Sequence, residues 1–182
     1  GGISSLFGSK TEAPKAKTEL EVKNFNNWQL PNTQLLDARR TQISADPNEI
    51  RTKEIEIEEK LLQFGIAVNM TGYKVGPTVI QYRLKPAQGV KLQKIVNLKK
   101  DLTLALHAKN IRIQAPIPGL GVVGIEVPNE NRQTVGLREL IESQEFASKK
   151  MEIPMAIGRD VSGDMVFGDL TKMPHLLVAG QT

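Results

Sequence analysis

The sequence predicts an α+β domain in which helices pack on a mostly antiparallel sheet, followed by the first strands of a second domain. Three features lead to this prediction: a capped periodic helix after residue 46, short alternating segments separated by glycine and proline, and a closing apolar run over 176–180. The predicted organisation is a linker and docking strap over 1–45, the α+β domain over 46–147 and an incomplete second domain over 148–182.

The first 45 residues carry little periodicity. Residues 1–26 are polar and contain much Gly, Ser, Lys and Glu, which is typical of a linker. The next residues predict an extended strap that docks on the following domain through large apolar side chains: Trp28, Leu30, Leu35 and Leu36.

A helix is predicted over 47–64. Asp46 is a good N-cap residue, Pro47 suits the first helical position and Glu49 suits the third. Apolar residues then recur at helical spacing: Ile50, Ile57, Leu61 and Phe64. Gly65 is expected to end the helix because glycine adopts the left-handed conformation without steric cost.

Two strands and a second helix are predicted next. The strands cover 66–70 and 78–84, and in the second strand Ile80, Tyr82 and Leu84 alternate with other residues. A single helix is predicted over 91–106 because five apolar residues share one face: Leu92, Ile95, Leu98, Leu102 and Leu106. Lys99 would have to reach solvent from that apolar side.

Two more strands and a third helix complete the predicted domain. The strands cover 111–115 and 122–127, and the turn at 116–121 contains proline and glycine. The helix is predicted to begin at Val135, with Thr134 as its cap. Three of its apolar residues are expected to face inward: Leu137, Leu140 and Ile141.

The C-terminal part predicts a hairpin and a buried strand. The hairpin pairs 154–159 with 165–170 around Ser162-Gly163, and the continuous apolar run over 176–180 suits a strand buried on both faces. The aspartates Asp160, Asp164 and Asp169 are not attributed to a metal site, and Asp160 and Asp164 are attributed to the turn that they flank. His175 is attributed to packing or hydrogen bonding.

Composition excludes several classes of site. The chain has no cysteine and only two histidines, so disulfides and Cys- or His-rich zinc sites are excluded. No apolar run approaches the roughly 20 residues that a membrane helix needs, and no membrane contact is expected from this segment. No catalytic residue and no metal ligand is predicted in it.

Positive charge is concentrated in one part of the chain. The net charge is only +4, but residues 65–115 carry nine basic side chains against Asp101 alone. This excess indicates a polyanion partner, and the alternative is a solvated lysine-rich surface. The candidate DNA-binding residues are Lys91, Lys94, Lys99, Lys100, Lys109 and Arg112.

Two stretches resemble the FtsK/SpoIIIE family of DNA translocases. Between residues 76 and 140 the resemblance rests on GPTVIQYRL, PAQGVKLQKIVNLKKDLTLAL, IRIQAPIPG and VGIEVPNENRQTVGLREL. Over 156–182 it rests on AIGRDVSGDMVFGDLTKMPHLLVAGQT, whose MPHLLVAG segment is similar to the family's strand before the Walker A loop. The resemblance covers about residues 46–182.

The resemblance implies that 46–147 is the family's alpha domain and that 148–182 are the first strands of its RecA-like α/β P-loop ATPase domain. Gly180 would be the first glycine of G-x-x-x-x-G-K-[ST], followed by Gln181 and Thr182. The Lys and Ser/Thr that hold phosphates and Mg²⁺ are then expected beyond this segment. The parent protein is expected to use ATP and Mg²⁺, and this segment to bind neither alone and to be inactive.

The same resemblance implies that the parent is a hexameric ring that pumps double-stranded DNA in chromosome segregation and cell division. The alpha domain would support ring assembly and DNA threading, on the cytoplasmic side of a parent anchored in the bacterial inner membrane at the division site. Two alternatives stay open. One is a non-enzymatic nucleic-acid-binding α+β module that uses 91–112 and the turn at 116–121, and the other is an oligomerisation domain without a nucleic-acid role.

Overall fold

The computed structural model describes residues 29–179. Residues 29–31 belong to one unit of the chain and residues 32–179 to a second, which contains all the helices and strands described below. Within residues 29–179 there is no helix long and apolar enough to cross a membrane. The predicted boundaries of the linker and of the two domains stay a prediction.

The predicted apolar docking of the strap is wrong for Leu35. This side chain is 80% exposed, and Trp28 lies outside the described residues. Polar atoms join this segment to the rest of the unit, because the hydroxyl of Thr33 donates a hydrogen bond to Glu142 Oε1 at 2.7 Å. Thr33 begins a single 3₁₀ turn, Thr33–Leu35.

Helix α1, Pro47–Gln63, confirms the first predicted helix. The Asp46 side chain accepts a hydrogen bond from the backbone N–H of Asn48 at 2.8 Å and so caps the first turn. Gly65 has a φ of 75°, the left-handed conformation expected at the end of a helix. Phe64 is the C-cap residue and is 42% exposed, so it does not face inward as predicted.

Four strands form an antiparallel sheet in the order β1-β2-β4-β3. They are β1 Val68–Val75, β2 Val79–Pro86, β3 Arg112–Gln114 and β4 Val123–Pro128. Strand β1 is longer than predicted because its pairing with β2 continues, past an irregularity between Met70 and Gly72, to the pair Val75 and Ile80.

The single helix predicted over 91–106 is wrong. Two helices stand there, α2 Leu92–Asn97 and α3 Lys99–Ala105, and they meet at Leu98, whose ψ of 7° is not helical. The backbone N–H of Leu98 donates to the carbonyl oxygen of Ile95, three residues before it, as in a 3₁₀ turn, and this local tightening ends α2. Ile95 in α2 and Leu102 in α3 are both 0% exposed, so the predicted apolar face continues across the break. Lys99 is exposed in the first turn of α3, so its side chain has no apolar surface to cross.

The hydrophobic core lies between one face of the sheet and helices α1, α2 and α3. Alternate residues of β2 and β4 point into it, together with one face of each helix. The largest fully buried side chains are Ile57, Leu61, Leu84, Ile95, Leu102, Ile111, Val123 and Ile125. The opposite face of the sheet, called the open face below, carries the polar residues of the same strands.

The third predicted helix begins later than expected and is shorter. Helix α4 is Leu137–Ile141, and its N-cap residue is Gly136 and not Thr134. Gly136 is extended and packs against the strap, where a Cβ atom would lie 2.6 Å from the carbonyl oxygen of Arg39. Leu140 is buried as predicted, but Leu137 is 47% exposed. A separate helix α5, Gln144–Ser148, follows with Ser143 as its cap.

The predicted hairpin is confirmed as β5, Pro154–Arg159, paired with β6, Met165–Asp169. The predicted strand over 176–180 is wrong where the structure describes it, since residues 176–179 form no strand and Leu177 is 87% exposed. No strand within residues 29–179 pairs with this segment, and an extended segment needs a neighbour for its backbone groups. The predicted fold class, helices on antiparallel sheet, is confirmed.

Candidate nucleic-acid interface

Five of the six predicted DNA-binding residues lie in helices α2 and α3 or in the loops beside them. All five are exposed, and none forms a salt bridge with a residue in the range 29–179. This group is called the helical lysines: Lys91, Lys94, Lys99, Lys100 and Lys109. Their ammonium groups are therefore available to a polyanion, as the charge pattern predicts.

Arg112, the sixth predicted residue, stands apart from the helical lysines. It lies in β3 and pairs with Glu126 of β4 on the open face, with NH1 donating to Glu126 Oε1 at 3.2 Å. The Arg112 side chain is 66% exposed whereas that of Glu126 is only 6% exposed. The guanidinium thus covers the carboxylate and still faces solvent.

Three further cations lie on the open face. Lys74 is opposite Gln81 in the β1–β2 pairing, Arg83 is two residues further along β2, and Lys85 is two residues beyond that. Because side chains two apart in a strand share a face, Arg83 and Lys85 lie on the side of Gln81, away from the core residues Tyr82 and Leu84. None of the three cations forms a salt bridge within the described chain.

Two buried polar side chains support the arginines of the open face. Gln81 is 2% exposed, and its Oε1 accepts a hydrogen bond from Arg83 Nε at 3.1 Å. Glu126 holds Arg112 in the same way. Each guanidinium is therefore held through one nitrogen atom. Its other N–H groups donate to no acceptor within residues 29–179 and can bind a ligand.

The two strand partners of Arg83 on the open face are glycines. Gly72 of β1 and Gly124 of β4 lie on either side of it. Gly72 has a φ of 125°, which favours glycine, and no atom lies within 4 Å of the position that its Cβ would take. A Cβ atom on Gly124 would lie 2.8 Å from the Cδ1 atom of Ile117, so the Ile117 side chain covers the sheet there. Arg83 is therefore approachable from the Gly72 side.

The sequence prediction missed the open face because it selected basic residues by their density along the chain. The β2 alternation offered a signal, since Gln81, Arg83 and Lys85 occur at every second position opposite Ile80, Tyr82 and Leu84. The sequence could not indicate that Arg112 joins them, because this depends on the strand order β1-β2-β4-β3.

A cleft of about 740 Å³ opens between α1, the segment after α3 and the end of β4. Both signs of charge line it: Lys53, Lys109, Arg132, Glu49 and Glu130. Burial raises the pKa of Tyr82 in its wall, and nearby glutamates act in the same direction, so the hydroxyl stays neutral. With balanced charges, this cleft is less suited to a polyanion than the open face.

An ion pair joins the hairpin to α4. Arg159 Nε donates to Glu139 Oε1 at 3.1 Å, and Arg159 NH2 donates to the same oxygen. The other carboxylate oxygen of Glu139 accepts from the backbone N–H of Thr41 in the strap. Burial raises the pKa of Glu139, but the hydrogen bonds from Arg159 and Thr41 outweigh it and hold that pKa below its usual value.

The aspartates of the C-terminal part are engaged in local structure. Asp160 Oδ1 accepts backbone hydrogen bonds from Ser162 at 2.8 Å and from Asp164 at 3.0 Å. The hydroxyl of Thr171 and backbone N–H groups lower the pKa of Asp169 to about 2 against the effect of burial. The contacts of Asp160 confirm the turn role predicted for it.

The residues predicted to begin the phosphate-binding loop, Gly180, Gln181 and Thr182, lie outside the described residues. Their nucleotide-binding role stays a prediction. The residue before them, Ala179, is exposed.

Comparison with known proteins gives two family matches. The model of the FtsK alpha domain matches residues 30–129, and the model of the FtsK/SpoIIIE family matches residues 136–182. The resemblance found from the motifs is thereby confirmed.

Curated relatives carry the same description. The DNA translocase FtsK of Lactiplantibacillus plantarum is 45% identical over 89% of this chain and 20% of its own length. That of Staphylococcus aureus has the same values, and that of Listeria monocytogenes is 40% identical over 99% of the chain and 26% of its own length. The chain therefore spans about a fifth to a quarter of the relatives that it matches.

Proposed function

Since the chain belongs to the FtsK/SpoIIIE family, we propose that it is part of an ATP-dependent double-stranded DNA translocase acting in chromosome segregation and cell division. The observation that carries the proposal is the order of the two matches, with the alpha domain at 30–129 directly before the FtsK/SpoIIIE segment at 136–182. The relatives named DNA translocase support the same conclusion.

The role of this segment within the parent is part of the proposal. The parent forms a hexameric ring anchored in the inner membrane at the division site, and this segment belongs to its cytoplasmic part. The α+β unit supports ring assembly and the threading of DNA. Exposed lysines that form no salt bridge within residues 29–179, among them Lys74 and Lys85, support a DNA partner, because such groups neutralise phosphates in a sequence-independent way.

ATP and Mg²⁺ are the proposed cofactors of the parent. Gly180 to Thr182 begin the loop whose backbone N–H groups hold the phosphates, while the Lys and Ser/Thr of the motif follow later. Residues 1–182 alone then bind neither cofactor and hydrolyse no ATP.

Sequencing the gene downstream of Thr182 tests the proposal. The expected continuation is two residues, then Gly-Lys-Ser or Gly-Lys-Thr, then an amphipathic helix. Protein carried through that region should hydrolyse ATP faster when DNA is added, whereas residues 1–182 should show no hydrolysis above background. A continuation without Gly-Lys-Ser/Thr would refute the motor assignment and leave a non-enzymatic nucleic-acid-binding module as the better account.

A further inference from the structure

We infer that the open face of the sheet, and not the surface of the helical lysines, is where this segment contacts the phosphates of double-stranded DNA. The inference rests on the proposed function, because it takes DNA as the partner. It concerns Lys74, Arg83, Lys85 and Arg112, of which only Arg112 belongs to the residues predicted from the sequence.

The first argument is unbalanced charge. Among the four strands of the sheet, Glu126 is the only acidic residue, and Arg112 already pairs with it. Lys74, Arg83 and Lys85 have no carboxylate partner within residues 29–179. The face therefore carries three uncompensated positive charges, which suits an anionic partner.

The second argument is fixed geometry. Burying Gln81 and Glu126 on a polar face has a desolvation cost, and both use their hydrogen bonds to hold an arginine. A guanidinium held by one edge loses less side-chain freedom when its other N–H groups bind an oxyanion. Within residues 29–179 no side chain holds the ammonium groups of the helical lysines, and these lysines are exposed.

The third argument is shape. Neighbouring strands lie about 4.8 Å apart and residues two apart along a strand about 7 Å, so the cations cover roughly 14 Å in each direction. About eight phosphate charges occur over 14 Å of duplex, enough to face all four cations. Gly72, the β1 partner of Arg83, carries no side chain and lets a nucleic-acid backbone approach Arg83 from that side.

The sheet separates the two candidate surfaces. Helices α2 and α3 pack on the core side, and the open face is directed away from them. A straight duplex that touches one surface of the same molecule does not touch the other. The two surfaces can therefore be tested against each other.

Two triple variants with the same change in charge make the test. Lys74→Glu/Arg83→Glu/Lys85→Glu alters the open face, and Lys94→Glu/Lys99→Glu/Lys100→Glu alters the helical lysines. Each takes the net charge of the chain from +4 to −2. Binding to a fluorescent duplex of mixed sequence is measured by anisotropy at several salt concentrations.

The open-face variant is expected to bind at least about tenfold more weakly, with a log–log salt slope that is smaller by about 0.9 for each phosphate that the protein no longer neutralises. The helical variant is expected to stay within about threefold of wild type, the residual effect of net charge at long range. Circular dichroism and thermal unfolding confirm that each variant is folded. If the glutamates prevent folding, the corresponding triple alanine variants should give the same order of affinities.

The opposite order of affinities would overturn this inference and leave the proposed function intact. Equal losses of affinity in both variants would also overturn it, because the effect would then follow net charge and not position. If wild-type protein shows no salt-dependent binding at all, the proposed DNA contact of this segment fails as well.

Discussion

Two regions of the structure are held together in different ways. One is the sheet domain, with β1 to β4 and α1 to α3, and the other is the C-terminal part, residues 130–179. Fifteen apolar residues form one buried cluster in the sheet domain, and all of them precede residue 128. Among residues 130–179, Leu140 is the only buried hydrophobic residue, and buried or half-buried polar contacts of Glu139, Arg159 and Asp169 stand beside an aromatic contact of Phe146 with Phe167. Removal of apolar volume should therefore matter most in the sheet domain, and removal of charge should matter more in the C-terminal part.

The largest expected effect comes from a cavity in the sheet domain. Leu61→Ala should lower the free energy of unfolding by about 3 kcal/mol, because Leu61 is fully buried between α1 and the sheet. Leu62→Ala is the matched control, since its neighbouring side chain is 62% exposed, and it should change stability by less than about 0.5 kcal/mol. Urea unfolding followed by circular dichroism measures both. Equal losses of stability in the two variants would contradict the conclusion that apolar packing stabilises this region.

A smaller effect is expected from the ion pair of the C-terminal part. Glu139→Gln should cost about 2 kcal/mol, because it leaves the buried guanidinium of Arg159 without its carboxylate. The matched control is Glu145→Gln in α5, where the side chain is exposed and makes no hydrogen bond with residues 29–179. Hydrogen exchange of β5 and β6 should rise in the first variant only. Unchanged exchange there would show that the pair does not hold the hairpin.

The dependence of stability on pH should also distinguish the two regions. The folded pKa of Asp169, about 2, lies below the usual value of about 3.9. Its contribution to stability is therefore complete above pH 4 to 5 and disappears as the pH falls through 2. Asp169→Asn should lower the stability of the hairpin at pH 7, and the difference from wild type should shrink towards pH 2. Thermal unfolding at a series of pH values measures this. A constant difference would mean that the charge of Asp169 does not matter.

The sequence predictions succeeded in both regions where the signal is local. Helix α1 was predicted almost to the residue because its cap and its terminal glycine are local signals. The break at Leu98 was not predicted, because the apolar residues on both sides of it keep one helical spacing. Gly136 was not predicted as a cap either, because it contacts the carbonyl of Arg39, which is far away in the sequence. Nonlocal packing limits such predictions.

The positive charge of the candidate interface could be predicted from the sequence, but its position in the fold could not. The basic stretch over 65–115 contains all four residues of the proposed interface, and β2 alternation could have separated Arg83 and Lys85 from the core residues. Their meeting with Lys74 and Arg112 depends on strand order and register. Register is set by the whole sheet, so no local pattern contains it.

The smallest expected effect compares two helix caps. Asp46→Ala should lower the global free energy of unfolding by about 1 kcal/mol, since Asp46 caps a helix that supplies Ile50, Ile57 and Leu61 to the core. Ser143→Ala removes the hydrogen bond from the backbone N–H of Phe146, 3.1 Å long, at the start of α5. Helix α5 contributes no buried residue, so the change should appear as faster hydrogen exchange within α5 and leave global unfolding nearly unchanged. If Ser143→Ala instead lowers global stability as much as Asp46→Ala does, α5 is part of the cooperative core, and the division between the two regions is wrong at that point.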